Sequence, residues 1–200
     1  MDWREKYEQA AARYEAGKGR AHDERQLVQL GNAAWAAGLC LLMDGDQAGA
    51  SEWLVRSAER YRESWDAGAP PDAWGRPIAA MKALLIADNA CDNLSLAASW
   101  ALDAGAAEAE SPIGRYAGTL ALLVLGRNEE AAALARTLAD PFPADVAAAL
   151  RALAAGDGDA FTAAVAEVRR SYEERDGYLE DVPVADTALA LDALATRRFA

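Results

Sequence analysis

The sequence predicts an all-α protein in which antiparallel helical hairpins stack as an α-solenoid or a compact helical array. Apolar residues recur at helical spacing in segments that end at glycine, proline or aspartate turns. No segment alternates apolar and polar residues as a half-buried strand does. The chain is also 52% hydrophobic, and much of that content is alanine, which favours helix and close helix approach. A globular helical bundle is the alternative architecture.

The clearest hairpin is residues 111–143. Ser111 is a good N-cap residue, and Pro112 stands at the first helical position, where its missing N–H costs nothing. Gly126 can adopt positive φ and end the first helix, and Asn128 is predicted to cap the second. A two-helix unit of this size cannot bury its apolar face alone, so it needs neighbouring helices.

The turn of this hairpin resembles the inter-helix turn of the tetratricopeptide repeat. The resemblance rests on residues 125–131, LGRNEEA, in which Gly126 and Ala131 stand at the expected offsets, and on the closing Pro143. It covers one unit of the 200-residue chain. The resemblance implies that the helices pack in a tetratricopeptide-like manner. As a further expectation, it implies that the protein binds another protein or a peptide.

The remaining helices are predicted from the same signals of apolar spacing, capping residues and breakers. Residues 1–66 are expected to form N-terminal helices over residues 3–16, about 23–43 and 51–66. The prolines in residues 68–72, GAPPD, break helix most strongly. Residues 77–200 are expected to form stacked hairpins and a capping helix, with helices over residues 77–89, about 94–105, 144–155 and 159–174, and after Pro183. Residues 1–200 are predicted to form a single all-helical domain.

The chain is acidic, with a net charge of −12 and a pI near 4.5. This charge argues against a nucleic-acid partner, because phosphate contacts need a basic surface. An acidic surface suits a basic protein or peptide partner, or serves solubility alone. No run of ~20 apolar residues indicates a membrane span. The polar start, MDWRE, does not resemble a secretory signal, so we expect a cytoplasmic protein.

Catalytic and metal-binding motifs are missing from the sequence, so the chain is predicted not to be an enzyme. The single histidine, His22, precludes HExxH and His-rich metal sites. The phosphate-binding and nucleophile-elbow motifs are absent as well. Residues 44–46, DGD, and 157–159, DGD, are predicted to be turns with aspartate N-caps, because neither has the further ligands of a calcium loop. We therefore expect no cofactor and no metal site.

Two pairs of residues leave alternatives open. Asp88 and Asp92 form either a helix junction or a pair of carboxylates on one helix face, as in a metal or general-acid site. Cys40 and Cys91 lie far apart in apolar helical contexts, which favours two core thiols. A disulfide would need their Cα atoms within ~7 Å, which the sequence does not determine.

The first part of the chain is rich in large aromatic residues, which are the candidate binding residues. At helical spacing such residues are more often core than pocket, but tryptophan and tyrosine are enriched at binding hot spots. If the rings line a groove, that groove is the predicted binding site for an apolar or helical ligand. The candidates are Trp35, Trp53, Tyr61, Trp65 and Trp74.

The last quarter of the chain resembles the end of the immunity 49 family of bacterial toxin-neutralising proteins. The residues concerned are 159–161, DAF, then Ala164, residues 171–172, SY, and residues 182–183, VP, before an apolar helix. The resemblance implies a toxin partner held by surface complementarity.

The function predicted from these observations is a non-enzymatic helical-repeat protein that mediates protein or peptide binding. A bacterial toxin-immunity protein is one alternative. A small-molecule-binding or enzymatic helical domain that uses the aromatic residues, or Asp88 with Asp92, is the other.

Overall fold

The computed structural model describes residues 1–87 and 91–199. In this part of the chain the protein is all-α, with ten α-helices, two short 3-10 helices and no strand, so the predicted fold class is confirmed. The 3-10 helices cover Ala106–Glu108 and Leu179–Asp181. The α-helices are α1 (Trp3–Gly17), α2 (Glu24–Asp44), α3 (Gln47–Asp66), α4 (Gly75–Ala87), α5 (Cys91–Asp103), α6 (Pro112–Val124), α7 (Asn128–Ala135), α8 (Ala144–Ala155), α9 (Gly158–Glu173) and α10 (Asp186–Phe199).

Short polar residues cap several of these helices as the sequence predicts. The Ser111 hydroxyl accepts a hydrogen bond of 3.1 Å from the backbone N–H of Gly114 at the start of α6. The Asp46 and Asp157 carboxylates accept equivalent bonds of 2.9 and 3.0 Å at the starts of α3 and α9. Asp46 and Asp157 are therefore the predicted N-caps, although residues 158–159 already belong to α9. Gly126 adopts the predicted positive φ of 71° after α6.

Several helix starts differ from the prediction. Helix α4 begins at Gly75 instead of residue 77, and α5 begins at Cys91 instead of about residue 94. The N-cap of α7 is Arg127, without a side-chain hydrogen bond, and Asn128 is already helical. The prediction that Asn128 caps this helix is therefore wrong. Helix α3 begins at Gln47, four residues before the predicted Ser51, because Asp46 directly after the turn glycine caps it first.

The chain divides into two compact units. Unit 1 comprises Met1–Cys91 and Asp176–Val184, and unit 2 comprises Asp92–Arg175 and Ala185–Ala200. The short segment Asp176–Val184 therefore belongs to unit 1, although it lies between two helices of unit 2.

In unit 1 each helix packs on the next, from α1 to α4. The centre of the unit is the antiparallel pair of α2 and α3. The Ser57 hydroxyl donates 2.9 Å to the carbonyl of Gly31, and the Ser64 hydroxyl donates 2.6 Å to the carbonyl of Glu24. These bonds satisfy two buried hydroxyls and require the two backbones to lie close together. Gly38 lies on the same face of α2, and the buried Leu54 side chain packs where a Cβ atom of residue 38 would stand.

Cys40 lies in the core of unit 1. Its side chain is completely buried in α2, as predicted for a core thiol, and burial raises the pKa of the thiol. The side chain of Cys91 lies outside the described residues, so of the two cysteine side chains only that of Cys40 is described.

In unit 2 the helices from α6 to α10 pack in sequence, and α8 also contacts α6 and α10. Each of the hairpins α6–α7 and α8–α9 turns at a glycine with positive φ, Gly126 and Gly156. The apolar faces meet in a core whose fully buried leucines include Leu120, Leu138, Leu150, Leu153 and Leu191.

Candidate ligand-binding cleft

The candidate aromatic residues lie mainly in the interior of unit 1. Trp35, Trp53, Tyr61 and Trp74 are buried, with at most 7% of any of these residues exposed, and Trp65 is half-buried. These four rings are core residues in this structure. A role for any of the five residues in binding stays a prediction.

Ring contacts explain how these residues pack. The Trp53 ring stands edge-on to Tyr14 and Tyr7, with centroid separations of 5.2 and 6.1 Å. Trp65 lies 6.0 Å from Trp74 at an angle of 39°. The rings thus join α1 to α3 and the end of α3 to the start of α4, which is packing that fixes helix positions.

An open cleft lies instead at the side of unit 1, where α1 ends and α2 begins. Its volume is about 490 Å³. The wall consists of the end of α1, the loop that follows it, the first half of α2 and one residue of the returning segment Asp176–Val184. The lining residues are Arg13, Gly17, Arg20, Ala21, Gln26, Gln29, Leu30, Ala33 and Glu180.

Two arginines and one glutamate provide the charges of this cleft. Arg13 Nη2 lies 2.7 Å from Glu180 Oε2, in a pair whose side chains are 49% and 23% exposed. Arg20 is exposed, and no carboxylate among residues 1–87 and 91–199 pairs with its guanidinium. Gln26 accepts a bond of 2.9 Å from the backbone N–H of His22, which leaves its amide N–H groups as donors.

The backbone that carries Glu180 has an unusual conformation. Glu180 has φ 54° and ψ 22°, and Asp181 follows with φ 55°, so two successive non-glycine residues are left-handed. This conformation is unfavourable for residues with a Cβ. The Lys6 ammonium donates 2.9 Å to the Asp181 carbonyl and holds the segment beside α1.

Sequence reasoning did not identify this cleft. Arg13 and Glu180 are separated by 167 residues, and no motif or local spacing connects them. The only sequence signal is the polar composition of residues 18–20, which predicts a linker and no site.

A smaller cleft of about 250 Å³ lies in unit 2, where the turn after α6 meets the end of α10. Most of its lining residues are apolar, and the others include Arg197 and Arg198. The Asn128 Oδ1 atom in its wall is buried and has no hydrogen-bond partner among the described residues. Exchanging the oxygen and nitrogen positions of the Asn128 amide, or one bound water molecule, would satisfy this atom without a ligand. This cleft is therefore the weaker candidate.

The remaining predicted residues do not extend either cleft. Asp88 lies outside the described residues, and Asp92 is exposed at the start of α5. Among residues 1–87 and 91–199, no three His, Cys, Asp or Glu side chains are grouped so that they could hold a metal ion.

Helix α2 is the one described helix that is long and apolar enough to cross a membrane, and 67% of its apolar 18-residue stretch is buried inside the protein. The central helix of a folded unit meets the same test.

Comparisons of the chain with protein-family models, with curated proteins and with solved structures found no match.

Proposed function

We propose that this chain is a non-enzymatic helical-hairpin protein that binds another protein or a peptide, and that the cleft of unit 1 is its binding site. The observation that carries the proposal is the cleft itself. It combines about 490 Å³ of open space with charged and amide side chains on three separate parts of the chain. Concave sites with a few convergent polar groups are typical of ligand-binding sites.

The chemistry of the lining supports binding over catalysis. The lining residues include no serine, threonine, cysteine or histidine, so the cleft offers none of the usual nucleophiles and no imidazole base. Its one carboxylate, Glu180, is paired with Arg13. Arginine and glutamine side chains are donors that orient a ligand, and they suit the backbone carbonyls and carboxylates of a peptide.

The proposal includes a tetratricopeptide-like packing of the hairpins and a cytoplasmic location. Support for the first is the antiparallel hairpin α6–α7 with its glycine turn at Gly126. Burial of most of the apolar stretch of α2 inside unit 1 supports a soluble protein, which a cytoplasmic location requires. A toxin-immunity protein is a specific form of the same proposal, and the net charge of −12 supports it if the toxin is basic. Co-expression with the product of the neighbouring gene, with cell survival as the readout, tests that form.

A blocking substitution tests the binding site. Random dodecapeptides displayed on phage are selected on the wild-type protein, and the affinity of individual synthetic peptides is then measured by fluorescence anisotropy. Ala21→Trp fills the cleft and should lower the affinity by about tenfold or more. Ala12→Trp is the matched control, because Ala12 is exposed on α1 and does not line the cleft. Failure to select any peptide, or equal affinities for both variants, would refute the proposal.

A further inference from the structure

Resting on the proposed function, we propose that the cleft of unit 1 recognises a carboxylate of its peptide or protein partner. Arg20 is the anchoring guanidinium. Arg13 is a second one, which becomes available when the partner displaces Glu180.

The chain places one of its own carboxylates in this cleft. Glu180 reaches Arg13 from a distant part of the sequence, with 2.7 Å between Nη2 and Oε2. An arginine and a carboxylate at this distance form a charge-assisted hydrogen bond. The intramolecular contact therefore demonstrates the geometry that a ligand carboxylate would adopt at the same wall.

The wall of the cleft has one guanidinium more than it has carboxylates. Arg20 lines the cleft, and no carboxylate of the described residues pairs with it. The planar guanidinium has five N–H donors in a fork that matches a carboxylate, whereas a neutral ligand group uses few of them. The nearby Gln26 and Gln29 add neutral amide donors at the same rim.

The lining of the cleft has a net positive charge. The lining residues carry two positive charges and one negative charge, although the whole chain has a net charge of −12. A cleft with a net positive charge selects the orientation of a bound peptide, because the acidic group of the peptide has one favourable position there.

A bound partner can displace Glu180 from Arg13. The Arg13–Glu180 pair is partly exposed, and ion pairs in contact with water contribute little to stability. Glu180 and Asp181 also hold left-handed backbone conformations, which relax if the segment leaves the cleft. A ligand carboxylate with a second contact at Arg20 can therefore compete with Glu180 for Arg13.

The experiment uses two phage libraries of random dodecapeptides on the wild-type protein. One library has internal peptides, which offer only side-chain carboxylates, and the other has peptides with a free C-terminus, which adds the terminal carboxylate. The proposal predicts that Asp and Glu are enriched in the first library, or that the second library yields the tighter binders. For synthetic peptides, Glu→Gln substitution or C-terminal amidation should then lower the affinity by about tenfold.

Variants of the protein test the two arginine roles. Arg20→Gln should lower the affinity by about tenfold, and Glu180→Gln should raise it by about two- to fivefold because Arg13 is released. Arg25→Gln is the matched control, since it removes the same charge from α2 at a side chain that is 89% exposed and does not line the cleft. It should change the affinity by less than about twofold. The melting temperature of each variant verifies that it is folded.

The possible failures are distinguishable. If peptides bind and Ala21→Trp blocks them, but Arg20→Gln and the loss of the peptide carboxylate have no effect, the carboxylate inference is wrong and the proposed binding function stands. Selection of basic peptides that bind Arg20→Gln more tightly than wild type would also overturn the inference. If no peptide binds, both proposals fail.

Discussion

Replacing Gly38 by alanine tests the close approach of α2 and α3, the helix pair at the centre of unit 1. A Cβ atom at Gly38 would lie 2.7 Å from Leu54 Cγ and 3.1 Å from the carbonyl oxygen of Ala50. Leu54 is completely buried and has little room to move, and the second contact is with backbone. The helices must therefore separate to accept one methyl group.

Two opposing effects set the size of the change. Alanine is favoured over glycine inside a helix by about 1 kcal/mol. Overpacking a close helix contact costs about 1–3 kcal/mol. With one distance below 3.0 Å and the other to a carbonyl, we place the overpacking cost near the upper end of that range. The expected net result is that Gly38→Ala destabilises unit 1 by about 1–2 kcal/mol.

Urea denaturation followed by tryptophan fluorescence measures this change, because every tryptophan except Trp100 belongs to unit 1. Gly75→Ala is the matched control, since a Cβ atom at the start of α4 would contact nothing within 4 Å. Adding Leu54→Ala to Gly38→Ala should make the effect of the methyl group smaller, because the nearest obstruction is gone. Unchanged or increased stability for Gly38→Ala alone would refute the close packing of α2 on α3.

Three further predictions test other features. Gly126→Val should destabilise unit 2 by about 1–2 kcal/mol in urea denaturation followed by circular dichroism. The φ angle at Gly126 is 71° and a Cβ atom there meets no atom within 4 Å, so the cost comes from the backbone conformation alone. Gly19→Val is the control: a Cβ atom at Gly19 also meets no atom within 4 Å, and the substitution should have little effect. Asp181→Gly should stabilise unit 1 by about 0.5–1 kcal/mol, because glycine adopts the left-handed conformation of this residue without strain and keeps the carbonyl that Lys6 binds. A lower urea midpoint for this variant would contradict the prediction. Burial, with a smaller contribution from Asp186, raises the pKa of Tyr116, so the contribution of Tyr116 to stability should be constant below its unfolded-state pKa of about 10 and fall as the pH rises above that value. Tyr116→Phe should therefore weaken the loss of stability above about pH 10 in urea denaturation, and an identical pH dependence would show that Tyr116 does not cause it.

Most of the fold follows from local features of the sequence. Apolar spacing and caps such as Ser111 and Asp157 act over a few residues, so they predict where helices start and stop. Helix α3 starts earlier than the predicted residue 51, because Asp46, directly after the turn at Gly45, caps it. Asn128 has the composition of a cap, but the chain enters α7 one residue earlier.

The polar contacts between helices could not be predicted in the same way. Ser57 and Ser64 stand at core positions of α3, where a pattern of apolar residues gives no signal. They are tolerated because carbonyl groups of α2 accept their hydroxyl hydrogens, and this depends on how the two helices pair.

The candidate cleft depends on contacts that are still more distant in sequence. The aromatic residues were reasonable candidates from composition, but paired helices bury most of them. Arg13, Arg20 and Glu180 have no motif in common, and they meet only because the segment Asp176–Val184 returns to unit 1. Periodicity identifies the helices and does not predict which loop returns to which unit.

The most direct test of the proposed binding site is the mapping of a selected peptide by nuclear magnetic resonance. The backbone amide signals of ¹⁵N-labelled protein are recorded while the tightest synthetic peptide from the selection is added. We predict that the largest shifts occur at Gly17, Arg20, Gln29 and Glu180, which line the cleft of unit 1. Shifts concentrated at Asn128 and Arg198 in unit 2, with the cleft of unit 1 unaffected, would contradict the assignment of the binding site.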